Sequence, residues 1–202
     1  TETQTAPQVF MKKKAVDQTH IMLGCRAFSA FDDRRFALEV LSDILGGGMS
    51  SRLFQKVREE LGAAYTVRAG TDLFTDHGFL AVNAGIDQTK IIVVIKAILD
   101  EMEKLKDEPV PEAELRRAKN HLVGRIILGL EASDELASFY GAQEVAGEEL
   151  MSPQELVKQL EAVTKEDIQK VAQDIFTNDR LNLAVIGPVD GEAELRTALH
   201  FA

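Results

Sequence analysis

Leu45-Gly46-Gly47-Gly48-Met49-Ser50-Ser51-Arg52-Leu53-Phe54, continued by Val57-Arg58-Glu59-Glu60-Leu61-Gly62-Ala63-Ala64-Tyr65, is the stretch on which the fold turns. After the three glycines, Met49, Leu53, Phe54, Val57 and Leu61 recur at helical spacing, which predicts a helix over about 50–61. Gly62 stands where a helix C-terminus favours a residue able to take positive φ. Tyr65-Thr66-Val67-Arg68-Ala69 then starts a strand. Helix, glycine stop and strand start would bring Arg58 and Tyr65 toward the same edge.

Upstream of this block, residues 19–28 read as a strand in which Ile21, Leu23 and Cys25 alternate with Met22 and Gly24. The run is apolar enough to suit a sheet covered on both faces. Asp32 and Asp33 are placed to cap a helix whose stripe of Phe36, Ala37, Val40, Leu41, Ile44 and Leu45 lasts until the glycines. Downstream, Phe79 to Ile86 forms a hairpin with the Tyr65 strand through Thr75-Asp76-His77-Gly78. From Gln88 to Leu105 a wide apolar face predicts a helix lying flat across the sheet, and Pro109-Val110-Pro111 breaks the chain. Pro111 opens a long helix through Leu115, Ala118, Leu122, Ile126 and Leu130, weakened but not ended by Gly124 and Gly129. Helices follow at about 133–146, 153–161 and 165–176, the last two with capping-box spacing at Ser152/Glu155 and Thr164/Asp167. A strand at 181–187 and a short helix at 191–199 complete an α+β domain, an antiparallel sheet covered by a layer of helices.

Composition narrows the function classes. The 202 residues with 45% apolar content support a conventional core, and no segment offers the roughly twenty apolar residues of a membrane span, so no membrane insertion is expected. A net charge of −10 argues against nucleic acid, and Lys12-Lys13-Lys14 is the only basic cluster, suited to a solvated strand edge. The lone Cys25, inside an apolar run, reads as a small buried hydrophobe. Residues 1–8 read as a linker remnant and 9–202 as the domain.

The block from Leu45 to Tyr65, with Gln18-Thr19-His20-Ile21 and Leu23-Gly24 before it and Asp76-His77-Gly78-Phe79 after it, resembles the insulinase/pitrilysin type of zinc metallopeptidase. Glu114-Leu115, Arg117-Ala118-Lys119 and Ala184-Val185-Ile186-Gly187-Pro188 extend the likeness over nearly the whole chain. The resemblance is to the second half of these enzymes, which include the mitochondrial processing peptidases and compact bacterial members. Their inverted zinc motif, His-x-x-Glu-His, is absent: His20, His77, His121 and His200 are far apart, and no metal site is expected in this chain. A start at Thr1 without a methionine, together with the missing motif, predicts a piece of a longer polypeptide whose upstream targeting signal could lie outside it.

What the resemblance implies is specific. The family's second half carries an arginine and a tyrosine seven residues apart that bind substrate near the scissile bond, a spacing met by Arg58 and Tyr65. A guanidinium can donate to peptide carbonyls and a phenol to a developing oxyanion. The plainer reading makes Arg58 a solvated helix residue near a C-terminus and Tyr65 half-buried sheet packing. Gly46, Gly47 and Gly48 are either a flexible joint that tolerates positive φ or a loop that helps admit substrate.

The resemblance therefore implies a substrate-binding half, inactive alone, with zinc in a partner N-terminal half from the same chain or a separate subunit. Peptide substrates are the expected ligands, a homodimer is a further expected assembly, and bacterial cytoplasm is the expected compartment. The alternative is a non-catalytic pseudo-peptidase or scaffold subunit that pairs with a separate active one.

Overall fold

A computed structural model describes residues 4–201, so the first three residues of the expected linker lie outside the described residues. Five strands form one sheet: β1 (Gln8–Lys13), β2 (Thr19–Ala27), β3 (Ala64–Leu73), β4 (Gly78–Ile86) and β5 (Leu181–Gly187). Their order is β1-β5-β2-β4-β3. All neighbours are antiparallel except β1 and β5, which run parallel. The strand β1 was not foreseen, because Gln8 to Lys13 sets three consecutive apolar residues, Val9 to Met11, between polar ones and shows no alternation. It is an edge strand, and Lys12 and Lys13 at its end stand where edge lysines discourage pairing with another chain.

Seven α-helices pack around this sheet: α1 (Arg35–Gly46), α2 (Ile91–Asp107), α3 (Glu112–Gly129), α4 (Ser133–Ala146), α5 (Pro153–Ala162), α6 (Lys165–Ile175) and α7 (Glu192–Ala198). Both capping boxes form: Ser152 and Thr164 side chains accept from the backbone N–H of Glu155 and Asp167, whose carboxylates accept in return. The expected α1 cap does not form. Asp32 instead accepts from the Arg34 backbone N–H and pairs with its guanidinium, closing the turn ahead of the helix. The long helix passes through Gly124 but stops at Gly129, one residue short of the predicted Leu130.

The core lies between the sheet and α1, α2 and α6, and is built on Leu23, Leu41, Leu45, Leu80, Ile95, Ile98 and Phe176. Cys25 is part of it, and burial pushes its thiol pKa up to about 12, leaving no nucleophile at neutral pH. The sheet is not covered on both faces. Ile21, Leu23 and Cys25 are buried, whereas Met22 is 38% exposed and His20 and Arg26 face out beside it. Paired across strands, Phe10, Ala184, Met22, Asn83 and Arg68 form one row of this open face. The polar members of β2 were the signal for a one-sided sheet, and the apolar content outweighed them in the sequence reading.

Candidate functional site

The helix predicted after the glycines from about residue 50 begins at Arg52 and widens into a π-helix over Phe54–Glu60. Its mark is the Leu61 N–H donating to Lys56 five residues back rather than four. Gly62, at φ +52°, reverses the chain, and the Ala63 N–H closes onto the Val57 carbonyl. The cap assigned to Gly62 from sequence is therefore present. In this frame Val57 is buried, while Arg58 is exposed and lies with its guanidinium 5.0 Å from the Phe54 ring centroid.

A second irregularity follows within two residues. Ala64 pairs with Ile86 and Thr66 with Gly85, so Tyr65 is the extra residue of a β-bulge. Simple alternation from the buried Val67 would turn Tyr65 inward. The bulge leaves it 61% exposed, so it is not the half-buried packing residue of the plainer reading.

None of the three consecutive glycines has positive φ. Their reason is close approach. A Cβ at Gly46 would lie 2.3 Å from the Ala69 backbone nitrogen, and one at Gly47 would lie 2.1 Å from the Asp43 carboxylate. Gly48 is looser, with the His121 ring 3.6 Å from its notional Cβ. The run thus lets the end of α1 settle on β3 and lets Asp43 fold back over its own helix terminus.

These elements enclose a cleft of about 780 Å³ lined by Gly46, Gly47, Gly48, Arg58 and six consecutive β3 residues, Thr66 to Thr71. Tyr65 lies next to that lining, not within it. The cleft's helical wall carries Glu39 and Asp43 of α1 and His121 and Arg125 of α3, each pair one turn apart. The Asp43 carboxylate accepts from His121 Nδ1 at 2.7 Å, and Glu39 accepts from the Thr71 hydroxyl. Burial raises the pKa of both carboxyls. His121 partly offsets this at Asp43, and the Thr71 bond does so at Glu39.

Behind the cleft, Arg52 forks onto Glu114 with two bonds of 2.9 Å and approaches Glu101 at 4.0 Å, tying the start of the π-helix to α2 and α3. These partners were not singled out from sequence. The matched one-turn spacings on α1 and α3 were a usable signal for the first group, whereas nothing local links Arg52 to Glu114, 62 positions away.

The four histidines stay apart. His121 belongs to Asp43, and His77 bonds Asp76 at 2.6 Å and stacks on Phe74. Among the described residues no three of His, Cys, Asp and Glu come together in a way that could hold a metal ion. No helix among them is long and apolar enough to cross a membrane.

Comparison with known proteins follows the same lines. An "uncharacterized zinc protease" of Streptomyces coelicolor is 37% identical over 186 residues, which are 92% of this chain and 40% of the relative. One from Bacillus subtilis is 32% identical over 177 residues, 88% of this chain and 43% of the relative. The chain thus spans well under half the length of these bacterial relatives. Among solved structures, a protease from Helicobacter pylori superposes with a TM-score of 0.85 at 23% identity, over 93% of this chain and 45% of that one. A peptidase M16 inactive domain from Pseudomonas fluorescens superposes with a TM-score of 0.79 at 23% identity, over 93% and 45%. At that identity the likeness is one of fold. Residues 1–122, which run from β1 through the glycines, π-helix and hairpin into α3, match the family described as "Peptidase M16 inactive domain", and to that family this chain belongs.

Proposed function

We propose that this chain is the substrate-binding half of a zinc-dependent metalloendopeptidase, inactive alone, in which Arg58 and Tyr65 hold the peptide beside the scissile bond. One observation carries the reading: a π-helix and a β-bulge, separated by Gly62, leave Arg58 and Tyr65 exposed while Val57 and Val67 stay in the core. Bulges of both kinds re-aim side chains, and they recur at functional sites. Arg58 donates to peptide carbonyls, and the Tyr65 hydroxyl donates to the oxygen on which charge develops.

Zinc, held by the other half, would supply the Lewis acid and the activated water. That half is the N-terminal zinc-binding partner, in the same chain or in a separate subunit. The open sheet face, with Phe10, Met22 and Ile186 exposed, forms one wall of the space between the halves. Gly46, Gly47 and Gly48 shape the rim by which substrate is admitted. Bacterial cytoplasm is the proposed compartment, and a homodimer is the further proposed assembly.

The test is chelator-sensitive cleavage of a quenched, unstructured peptide by this chain together with its zinc half. Tyr65→Phe should lower kcat by about 10²–10³-fold, the usual loss for one oxyanion donor, and Arg58→Ala should lower kcat/KM. A folded, metal-loaded assembly without turnover, or one indifferent to both substitutions, overturns the reading in favour of a non-catalytic pseudo-peptidase or scaffold subunit.

A further inference from the structure

We infer that the cleft along β3 is a subsite for an extended peptide segment carrying acidic side chains, laid against the outer edge of that strand. This rests on the peptide-binding reading above and gives it a charge preference.

The position of the cleft comes first. Successive strand residues point to opposite faces, so a cavity in contact with every residue from Thr66 to Thr71 lies along the edge of β3 and not on one face. The strand is last in the sheet order, and no strand among the described residues pairs with its outer side. Six residues at about 3.3 Å give roughly 20 Å of backbone, the length of an ordinary strand. Peptides that add to such an edge gain main-chain hydrogen bonds and are selected by what their alternate side chains meet.

What they meet here is arginine. Arg58, Arg68 and Arg125 all line the cleft and are exposed. Among the described residues none of the three makes a hydrogen bond or an ion pair, and Arg58 has only the Phe54 ring. The carboxylates in the same lining are hydrogen-bonded, Asp43 to His121 and Glu39 to Thr71, and of the three arginines only Arg125 also acts on them through its charge. Three guanidinium groups against two carboxylates give this lining an excess of positive charge, in a chain whose net charge is −10. Arg68 belongs to the open face of the sheet and Arg125 to the α3 wall. Side chains alternating along an added strand would therefore find a guanidinium on either side, each suited to fork onto a carboxylate.

The experiment uses this chain with its zinc half, stripped of metal so that nothing is cut. Fluorescence anisotropy compares a labelled ten-residue peptide of alternating Glu and Thr with its Lys and Gln counterparts. At about 50 mM salt the Glu peptide should bind at least tenfold tighter than the Lys peptide, with the gap shrinking at high salt. The double variant Arg68→Gln/Arg125→Gln, shown to be folded by circular dichroism, should reduce Glu-peptide affinity to that of the Gln peptide. Methylating alternate backbone nitrogens of the peptide should weaken binding about tenfold or more, and amides within Thr66 to Thr71 should slow in exchange when the unmethylated peptide is bound. Equal or tighter binding of the Lys peptide, or a double variant that keeps the preference, overturns the inference. If turnover nevertheless depends on Arg58 and Tyr65, the peptidase reading stands without this subsite; if binding and turnover are both absent, both fall.

Discussion

Replacing Gly46 with alanine tests whether the glycine run exists for contact or for flexibility. The added Cβ would stand 2.3 Å from the Ala69 nitrogen and 2.7 Å from the Ala69 Cβ, both belonging to a strand held in the sheet by β4. Ordinary carbon contacts lie near 3.5–4.0 Å, so the end of α1 must lift from β3 by about 1 Å. Overpacking of this kind costs about 1–3 kcal/mol. Alanine returns up to about 1 kcal/mol through helix propensity, since Gly46 is the last residue of α1. The net is a loss of about 1–2 kcal/mol, or roughly 2–8 °C in Tm for a chain of this size. Gly124→Ala supplies the control: Gly124 lies inside α3 with nothing within 4 Å of its notional Cβ. Propensity acts there without opposition and should raise stability by about 0.5–1 kcal/mol. Urea and thermal unfolding of the two variants beside the parent make the comparison. If Gly46→Ala is as stabilising as Gly124→Ala, the glycine serves only as a joint and the contact argument is wrong.

Arg52→Met should destabilise by about 2–3 kcal/mol, because it leaves Glu114 half-buried without its cation while Lys104 still serves Glu101. Arg52→Met/Glu114→Leu should recover most of that loss in denaturant melts, and a double variant as unstable as the single one refutes the pairing. Thr164→Ala removes the side-chain cap of α6 and should cost about 1 kcal/mol, seen as a Tm drop of roughly 2–4 °C. For Asp43 the sign is fixed by burial, which raises the folded pKa above the unfolded value. Stability from this group is full below about pH 4 and is lost as pH rises through the raised folded pKa. Asp43→Asn, which keeps an acceptor for His121, should remove that fall; melts from pH 3 to 8 in which the two proteins keep a constant difference would refute the assignment.

Most elements were readable because their signals are local. The stripe of α1, the two capping boxes, Pro111 ahead of α3 and the Thr75–Gly78 turn each occupy one short window, and a helix or turn forms at each. Failures came where the deciding partner is remote. β1 is a strand by virtue of β5, more than 170 positions away, which supplies its hydrogen bonds. The open face of the sheet follows from where the helices settle, a fact that the apolar members of β2 could not report. The motif points to Arg58, but its neighbours in the cleft come from β3 and from α3, and only the folded chain places Arg68 and Arg125 in the same lining.

Arg58 and Tyr65 lie on the two places where backbone departs from the repeat that sequence periodicity assumes. A hydrophobic stripe read at 3.6 residues per turn remains recognisable when the helix widens, because Leu53 and Val57 still reach the core. Widening instead changes the direction of the residues that follow, Arg58 to Glu60, and those are polar positions on which the stripe is silent. The bulge acts likewise on β3. A one-residue slip in a strand turns every following side chain over. Confining the slip to Tyr65 moves that ring outward and leaves Val67, Ala69, Thr71 and Leu73 on the covered side. A regular β3 could have paired with β4 and set Tyr65 beside Val67, burying more apolar surface. A bulge that instead exposes a phenol beside an arginine-lined cleft gains nothing for the core, and this is the ground on which the proposed function gives Tyr65 a ligand outside the domain.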